Sequence, residues 1–214
     1  MTVTLIAINV AVWLFYELPD LQHSVNELAY QPCELDRTCP VVGQDWPVNI
    51  FTSMFMHGDW LHIGGNMLFL WIFGNNVEDA MGRVRFLLFY LLGGLGATAL
   101  QTFITLYAGS AADARIPNLG ASGAISAVLG AYLVLLPRAG VLTLIFFGII
   151  FIREFPAWLF LGFWFLLQLW SGGFSLLHPE QGGGVAFFAH IGGFVFGLAT
   201  VFAFAKRRPL PPAY

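Results

Sequence analysis

Gly120-Ala121-Ser122-Gly123-Ala124-Ile125-Ser126-Ala127-Val128-Leu129-Gly130-Ala131-Tyr132 is the stretch from which the rest of the chain can be read. It sets a serine between glycines at the mouth of an apolar segment that runs on to about Leu136. Small residues line the interfaces of membrane helices because they let backbones approach, so packing alone accounts for a Gly-x-Ser-Gly. A second stretch, Phe188-Ala189-His190-Ile191-Gly192-Gly193, places a lone histidine near the start of the last apolar segment. Serine and histidine together are a nucleophile and its base.

The chain around these stretches is 214 residues long, 58% hydrophobic and 10% charged, with a mean hydropathy of +0.76. Soluble domains carry roughly 25% charged residues, so the composition is that of an integral membrane protein. A net charge of −3 and a pI near 5.9 leave no basic patch for nucleic acid. Spans need about 20 largely apolar residues, and the candidates are Val3–Tyr16, Trp60–Val77, Val84–Ala108, Gly120–Leu136, Phe155–Trp170 and Phe187–Ala205. Val3–Tyr16 has no positive charge before it and no small-x-small cleavage site after it, and so reads as an uncleaved span. The expected fold is thus an all-α polytopic bundle of six transmembrane helices, forming one membrane domain over 1–205 with a tail at 206–214. Val141–Ile152 is apolar but too short to cross as a helix; it is expected to be interfacial or re-entrant, with a seventh span as the alternative.

Arginine and lysine set the orientation. With both termini cytosolic, Arg83, Arg85, Arg138, Arg153, Lys206, Arg207 and Arg208 fall inside and only Arg37 and Arg115 outside, which obeys the positive-inside rule. The outer loop then runs from Glu17 to Asp59. Its second half, Val48–Met56, is apolar enough to lie in the interface. Its two cysteines, Cys33 and Cys39, are too few for a four-ligand metal site, and either form one disulfide, if the loop meets an oxidising compartment, or remain thiols.

This topology gives the serine and histidine a common depth. Ser122 and His190 both lie about one turn below the outer surface, on segments running in the same direction. Ser122, Ser126 and Gly130 fall on one helix face, and His190, Gly193 and Gly197 on another, so each small-residue stripe carries its polar residue at the outer end. The Gly193–Gly197 pair is also a GxxxG, which permits backbone contact. His57-Gly58-Asp59-Trp60-Leu61-His62-Ile63-Gly64-Gly65-Asn66 opens the second span, with His62 and Asn66 one turn apart. Polar side chains at this depth face the bundle interior and mark function. An amide and an imidazole facing a serine are the donors of an oxyanion hole. Two bland readings stand beside this one: His62 and Asn66 as interhelical hydrogen-bond partners, and His57, His62 and His190 as zinc ligands. Against zinc, His57 and His62 are spaced to different helix faces and no HExxH is present. The fourth and sixth segments carry no Asp or Glu, so the chemistry is that of a dyad, needing no cofactor.

Gly-Ala-Ser122-Gly, Ala-His190-Ile-Gly-Gly and His62-x-x-x-Asn66 together resemble the rhomboid intramembrane serine proteases of the compact six-span bacterial type, over about Leu5 to Phe204. The resemblance implies Ser122 as nucleophile and His190 as base, with His62, Asn66 and the Ser122 N–H holding the oxyanion. It implies supporting places for Gly120, Gly123, Ser126, Gly193 and Gly197, and a structural one for His57. It further implies membrane-anchored protein substrates cut near the outer face, a bacterial plasma membrane, a mobile span at Phe155–Trp170 and a flexible cap at Gly172–Ala186. Two positions depart from the family. Trp46 is followed by Pro47 where many relatives have Trp-Arg, and Ser126 stands where some relatives stack an aromatic ring on the histidine, which makes a Ser126 hydrogen bond the candidate to orient His190. The rival readings are a silent rhomboid-like protein that binds transmembrane helices, a zinc enzyme and a transporter, the last disfavoured by the lack of an internal repeat or intramembrane charge.

Overall fold

The computed structural model describes residues 1–41, 43–146, 148, 150–178 and 185–206. Its helices follow the apolar segments closely. Helix α1 (Thr2–Val12) continues through a π-helical turn at Trp13–Glu17, and the chain then bends by 117° into α2 (Leu21–Leu28). Short helices α3 (Pro32–Leu35) and α4 (Trp46–Thr52) complete the long loop before α5 (Trp60–Met81). Then come α6 (Arg83–Ala108), α7 (Ser122–Leu135), α8 (Ala157–Leu177) and α9 (Phe187–Phe204). The architecture is an all-α bundle, as the composition implies.

Among the described residues three helices, α6, α8 and α9, are long and apolar enough to cross a bilayer, or four if the bent α1–α2 pair is one span, fewer than the six expected. Helix α7 is not one of them. At about 1.5 Å per residue its 14 residues reach only about 21 Å against a hydrocarbon core of about 30 Å. It is instead the axis of the bundle, with every residue from Gly123 to Tyr132 buried. Its apolar character on all sides is that of a helix surrounded by others.

Glycine makes that enclosure tight. A methyl group at Gly193 would overlap the Gly123 carbonyl, one at Gly197 the Ala127 carbonyl, and one at Gly130 the Phe194 carbonyl. Backbones of α7 and α9 are therefore in direct contact along the two small-residue stripes. Helix α6 closes the third side, where Gly93 faces Ala127 and Ala97 faces Gly123.

Between α7 and α8 the structure gives Val141–Ile152 a form that the sequence reading did not name. The segment is an antiparallel hairpin of β1 (Gly140–Phe146) and β2 (Ile150–Pro156), with Leu144 opposite Ile152. It is not a seventh spanning helix. Branched and aromatic residues favour strand, and Gly148 at φ +74° supplies the left-handed conformation a tight hairpin needs. The Ala157 N–H donates to the Ala139 carbonyl at 2.9 Å and so ties the base of the hairpin to the start of α8.

In the loop before α5, Cys33 and Cys39 are disulfide-bonded, which settles the choice between bridge and thiols. The apolar Val48–Met56 run is α4 followed by a 3-10 turn at Ser53–Phe55, and it buries Ser53, Met54 and Met56. Of the cap expected at Gly172–Ala186, Gly172 and Gly173 belong to α8, and residues 179–184 lie outside the described residues, as do 207–214 of the tail.

Candidate active site

Ser122 is the first residue of α7, and Ala121 is its N-cap. The first N–H groups of a helix have no partner within it, so the serine sits where backbone donors and the positive end of the helix dipole converge. His190 is the fourth residue of α9. Contact through the glycine stripes sets the two helices side by side, and the Ser122 hydroxyl oxygen lies 2.8 Å from His190 Nε2, within hydrogen-bond distance. The two side chains expected to meet do meet.

The other ring nitrogen is held by a residue that the sequence reading did not single out. His190 Nδ1 lies 2.8 Å from Gln168 Oε1 of α8, within hydrogen-bond distance, and the Trp164 ring of the same helix stands 6.0 Å from the imidazole, centroid to centroid. The expected bond from Ser126 to His190 does not form. Ser126 instead donates to the Ser122 carbonyl one turn back, at 2.7 Å, the usual resort of a serine hydroxyl inside a helix. The signal that would have found Gln168 is that it is the one amide in α8, whose other polar side chains are only the serines at Ser171 and Ser175, and such residues seldom face lipid.

The His62–Asn66 pair arrives from α5. Asp59 caps this helix by accepting the His62 N–H at 2.8 Å. His62 Nδ1 accepts the Gly58 N–H at 3.3 Å, so the proton of the neutral ring sits on Nε2. That nitrogen lies beside Gly120, where a Cβ would stand 2.7 Å from it and 3.5 Å from the Ser122 hydroxyl oxygen. Gly120 also has φ +128°, a conformation that residues with a Cβ rarely adopt. Its absent side chain therefore gives the His62 ring its place beside Ser122. Asn66 is buried with no hydrogen-bond partner for its Nδ2. Unsatisfied buried amides are uncommon and call for an explanation. Asn66 also lines an open cleft of about 700 Å³, together with His62, Ser122, Ser126, Trp164 and His190 among others.

His57 stands behind this cleft. It is fully buried, edge-on to His62 with ring centroids 5.1 Å apart, and its backbone N–H donates to the Glu17 carboxylate at 2.7 Å. Burial first and the neighbouring His62 second push its pKa down to about 3, so the ring stays neutral at any ordinary pH. Among the described residues no group of three or more His, Cys, Asp or Glu side chains is placed to hold a metal ion. Gly123, Gly193 and Gly197 do not touch the cleft through side chains; they make the α7–α9 contact on which it depends.

Comparison with known proteins bears on the whole of this framework. The Rhomboid domain family model matches residues 44–207. The chain is 33% identical over 140 residues to presenilin-associated rhomboid-like protein A, mitochondrial, of Danio rerio, covering 64% of this chain and 33% of that protein. It is 30% identical over 142 residues to rhomboid protein 1, mitochondrial, of Saccharomyces cerevisiae, covering 66% and 38%. To RHOMBOID-like protein 1 of Arabidopsis thaliana it is 32% identical over 158 residues, covering 74% and 34%. The chain thus spans about a third of the length of these relatives. The matched region takes in α5 to α9 whole, and with them the buried α7, the glycine contact and the cleft, so the chain belongs to the rhomboid family.

Proposed function

We propose that the protein is an intramembrane serine endopeptidase that cuts membrane-anchored proteins near the outer end of their spanning helix. The observation that carries this reading is the 2.8 Å contact between Ser122 Oγ and His190 Nε2, made within an apolar bundle and facing a cleft that holds unspent donors. Ser122 Oγ attacks the scissile carbonyl carbon as its proton passes to His190 Nε2. The carbonyl oxygen, now an anion, takes hydrogen bonds from Asn66 Nδ2, His62 Nε2 and the Ser122 N–H. Donors fixed in advance in a low-dielectric site stabilise that charge without reorganising. As the tetrahedral intermediate collapses, the C–N bond breaks and His190 gives its proton to the leaving amine. Water then enters through the cleft, His190 takes its proton, and the acyl-enzyme is hydrolysed. No cofactor takes part.

The substrate class follows from the same physics. Carbonyls in a spanning helix are already hydrogen-bonded, so the helix must unwind locally before Ser122 can reach one. Substrates with weak, small-residue helices at the cut meet that need. We read residues 1–205 as one membrane domain with both termini on the arginine-rich side. The Cys33–Cys39 bond supports an oxidising compartment on the side of the α1–α5 loop, towards which the cleft would open. A bacterial plasma membrane is the setting we infer; the mitochondrial names of two relatives favour a mitochondrial membrane as the second reading.

The test is cleavage of a transmembrane reporter by purified protein in liposomes, beside Ser122→Ala and His190→Ala and with a chelator. Cleavage that both substitutions abolish and the chelator spares is the expected result. Survival of cleavage in Ser122→Ala overturns the mechanism. Absence of cleavage by the wild type across several reporters favours a protein that binds transmembrane helices without cutting them.

A further inference from the structure

A dyad leaves one question of proton bookkeeping open. A neutral imidazole carries its proton on one nitrogen only, and His190 can accept the Ser122 proton only if that nitrogen is Nδ1. In a triad a carboxylate makes this choice, but α7, α8 and α9 contain no Asp or Glu. We propose that Gln168 is the positioning residue that makes it here: its amide oxygen holds His190 in the Nδ1–H form and so leaves Nε2 free for Ser122.

Three features of the geometry carry this. Gln168 Oε1 lies 2.8 Å from His190 Nδ1, on the opposite side of the ring from Ser122. The amide cannot turn over without loss, because its Nε2 donates to the Trp164 carbonyl at 3.4 Å; a flipped amide would set its oxygen against that carbonyl and its NH2 against Nδ1. After proton transfer the imidazolium keeps its Nδ1–H bond to a neutral acceptor. Gln168 neither gains nor loses a proton, and so acts through orientation alone.

The bond also joins the base to the least anchored of the long helices. Of the 21 residues of α8, only Ala157, Leu161 and Gly172 are buried, whereas α7 is buried almost throughout. Any outward movement of the upper part of α8 withdraws Gln168 from His190 while leaving the Ser122–His190 pair on α7 and α9 intact.

This inference rests on the proposed peptidase mechanism, and its test keeps the two apart. Gln168→Met preserves length and volume but removes the acceptor; Gln168→Glu restores one. In a liposome cleavage assay Gln168→Met should lower kcat roughly 10- to 100-fold with KM little changed, short of the about 10⁴-fold that a wrong tautomer costs in a carboxylate-supported triad. Gln168→Glu should keep kcat within a few-fold of the wild type. Independently, nitrogen NMR of the wild-type protein labelled at histidine should show His190 protonated at Nδ1. A wild type that cleaves while Gln168→Met retains full kcat overturns the inference and leaves the peptidase reading standing, as does a His190 found protonated at Nε2. If Gln168→Met does not fold, the wild-type tautomer decides alone. A wild type that never cleaves fails the peptidase reading, whereas the tautomer still reports on Gln168.

Discussion

Gly193 of α9 lies against the backbone carbonyl of Gly123 in α7, so close that no side chain fits between them. This contact, one turn from His190 on α9 and next to Ser122 on α7, places His190 beside Ser122. Because the obstruction is main chain, a larger residue cannot be accommodated by a rotamer change. Gly193→Ala should therefore separate the helices, at about 1–3 kcal/mol of overpacking. Cleavage should fall on the order of 100-fold, the usual cost of misplacing a reacting group by about 1 Å. Gly64→Ala is the control, since a Cβ there meets nothing within 4 Å, and a helical Gly→Ala exchange favours the helix. Parallel thermal denaturation and reporter cleavage of the two variants check this.

Gly120 admits a sharper test, because it separates room for His62 from the fold at large. An alanine there meets both a φ of +128° and the His62 ring. Backbone strain of this kind costs about 1–3 kcal/mol, and the ring must turn away from Ser122. Gly120→Ala should remain folded and lose kcat. Asn66→Ala should lower kcat by about 10²–10³-fold, the measured cost of a lost oxyanion donor, with KM little affected. Equal losses in kcat and affinity would instead assign Asn66 to substrate binding.

Much of this site was legible in the sequence because it is written in short-range code. Ser122 and Ser126, His190 and Gly193, and His62 and Asn66 are each one helical turn apart, so periodicity alone assigns them to faces. The glycines that bring those faces together stand in the same stretches. Gln168 was not legible for the converse reason. On α8 its polar neighbours at helical spacing are Ser171 and Ser175, small residues that read as helix packing, and its partner lies 22 residues away on another helix. Ser126 was misread because a serine hydroxyl in a helix finds its own carbonyl one turn back before it finds a neighbour. The β1–β2 hairpin was missed because apolar residues stand on both of its faces, which blurs the alternation that announces a strand. The shortness of α7 was visible as a count, but its place at the centre was not.

The Cys33–Cys39 bond makes the proposed orientation of the loop testable. In intact cells or organelles, a thiol-reactive maleimide should fail to label either cysteine until a reductant is added, since cytosolic thiols are kept reduced. Labelling without reductant would place the loop on the reducing side and reverse the proposed orientation. Reduction should also loosen the loop, by about 2 kcal/mol for a ring this small, read as a lower melting temperature without loss of the α7–α9 core.

Glu34 lies between those cysteines, buried, with one carboxylate oxygen unpartnered. Burial raises its pKa, against a smaller lowering by the Asn49 amide. The unfolded carboxyl titrates near about 4.3, so between that pH and the higher folded value the native state holds more protons than the unfolded one. Stability from this group is thus complete below about pH 4.3 and is lost as pH rises through the folded pKa. Gln at 34 removes the titration and keeps the shape. Glu34→Gln should therefore melt higher than the wild type at pH 7 and converge with it near pH 4. Melting temperatures of both proteins across that range decide the matter: a difference that does not change with pH would mean that the Glu34 carboxyl is not forced to ionise in a buried place.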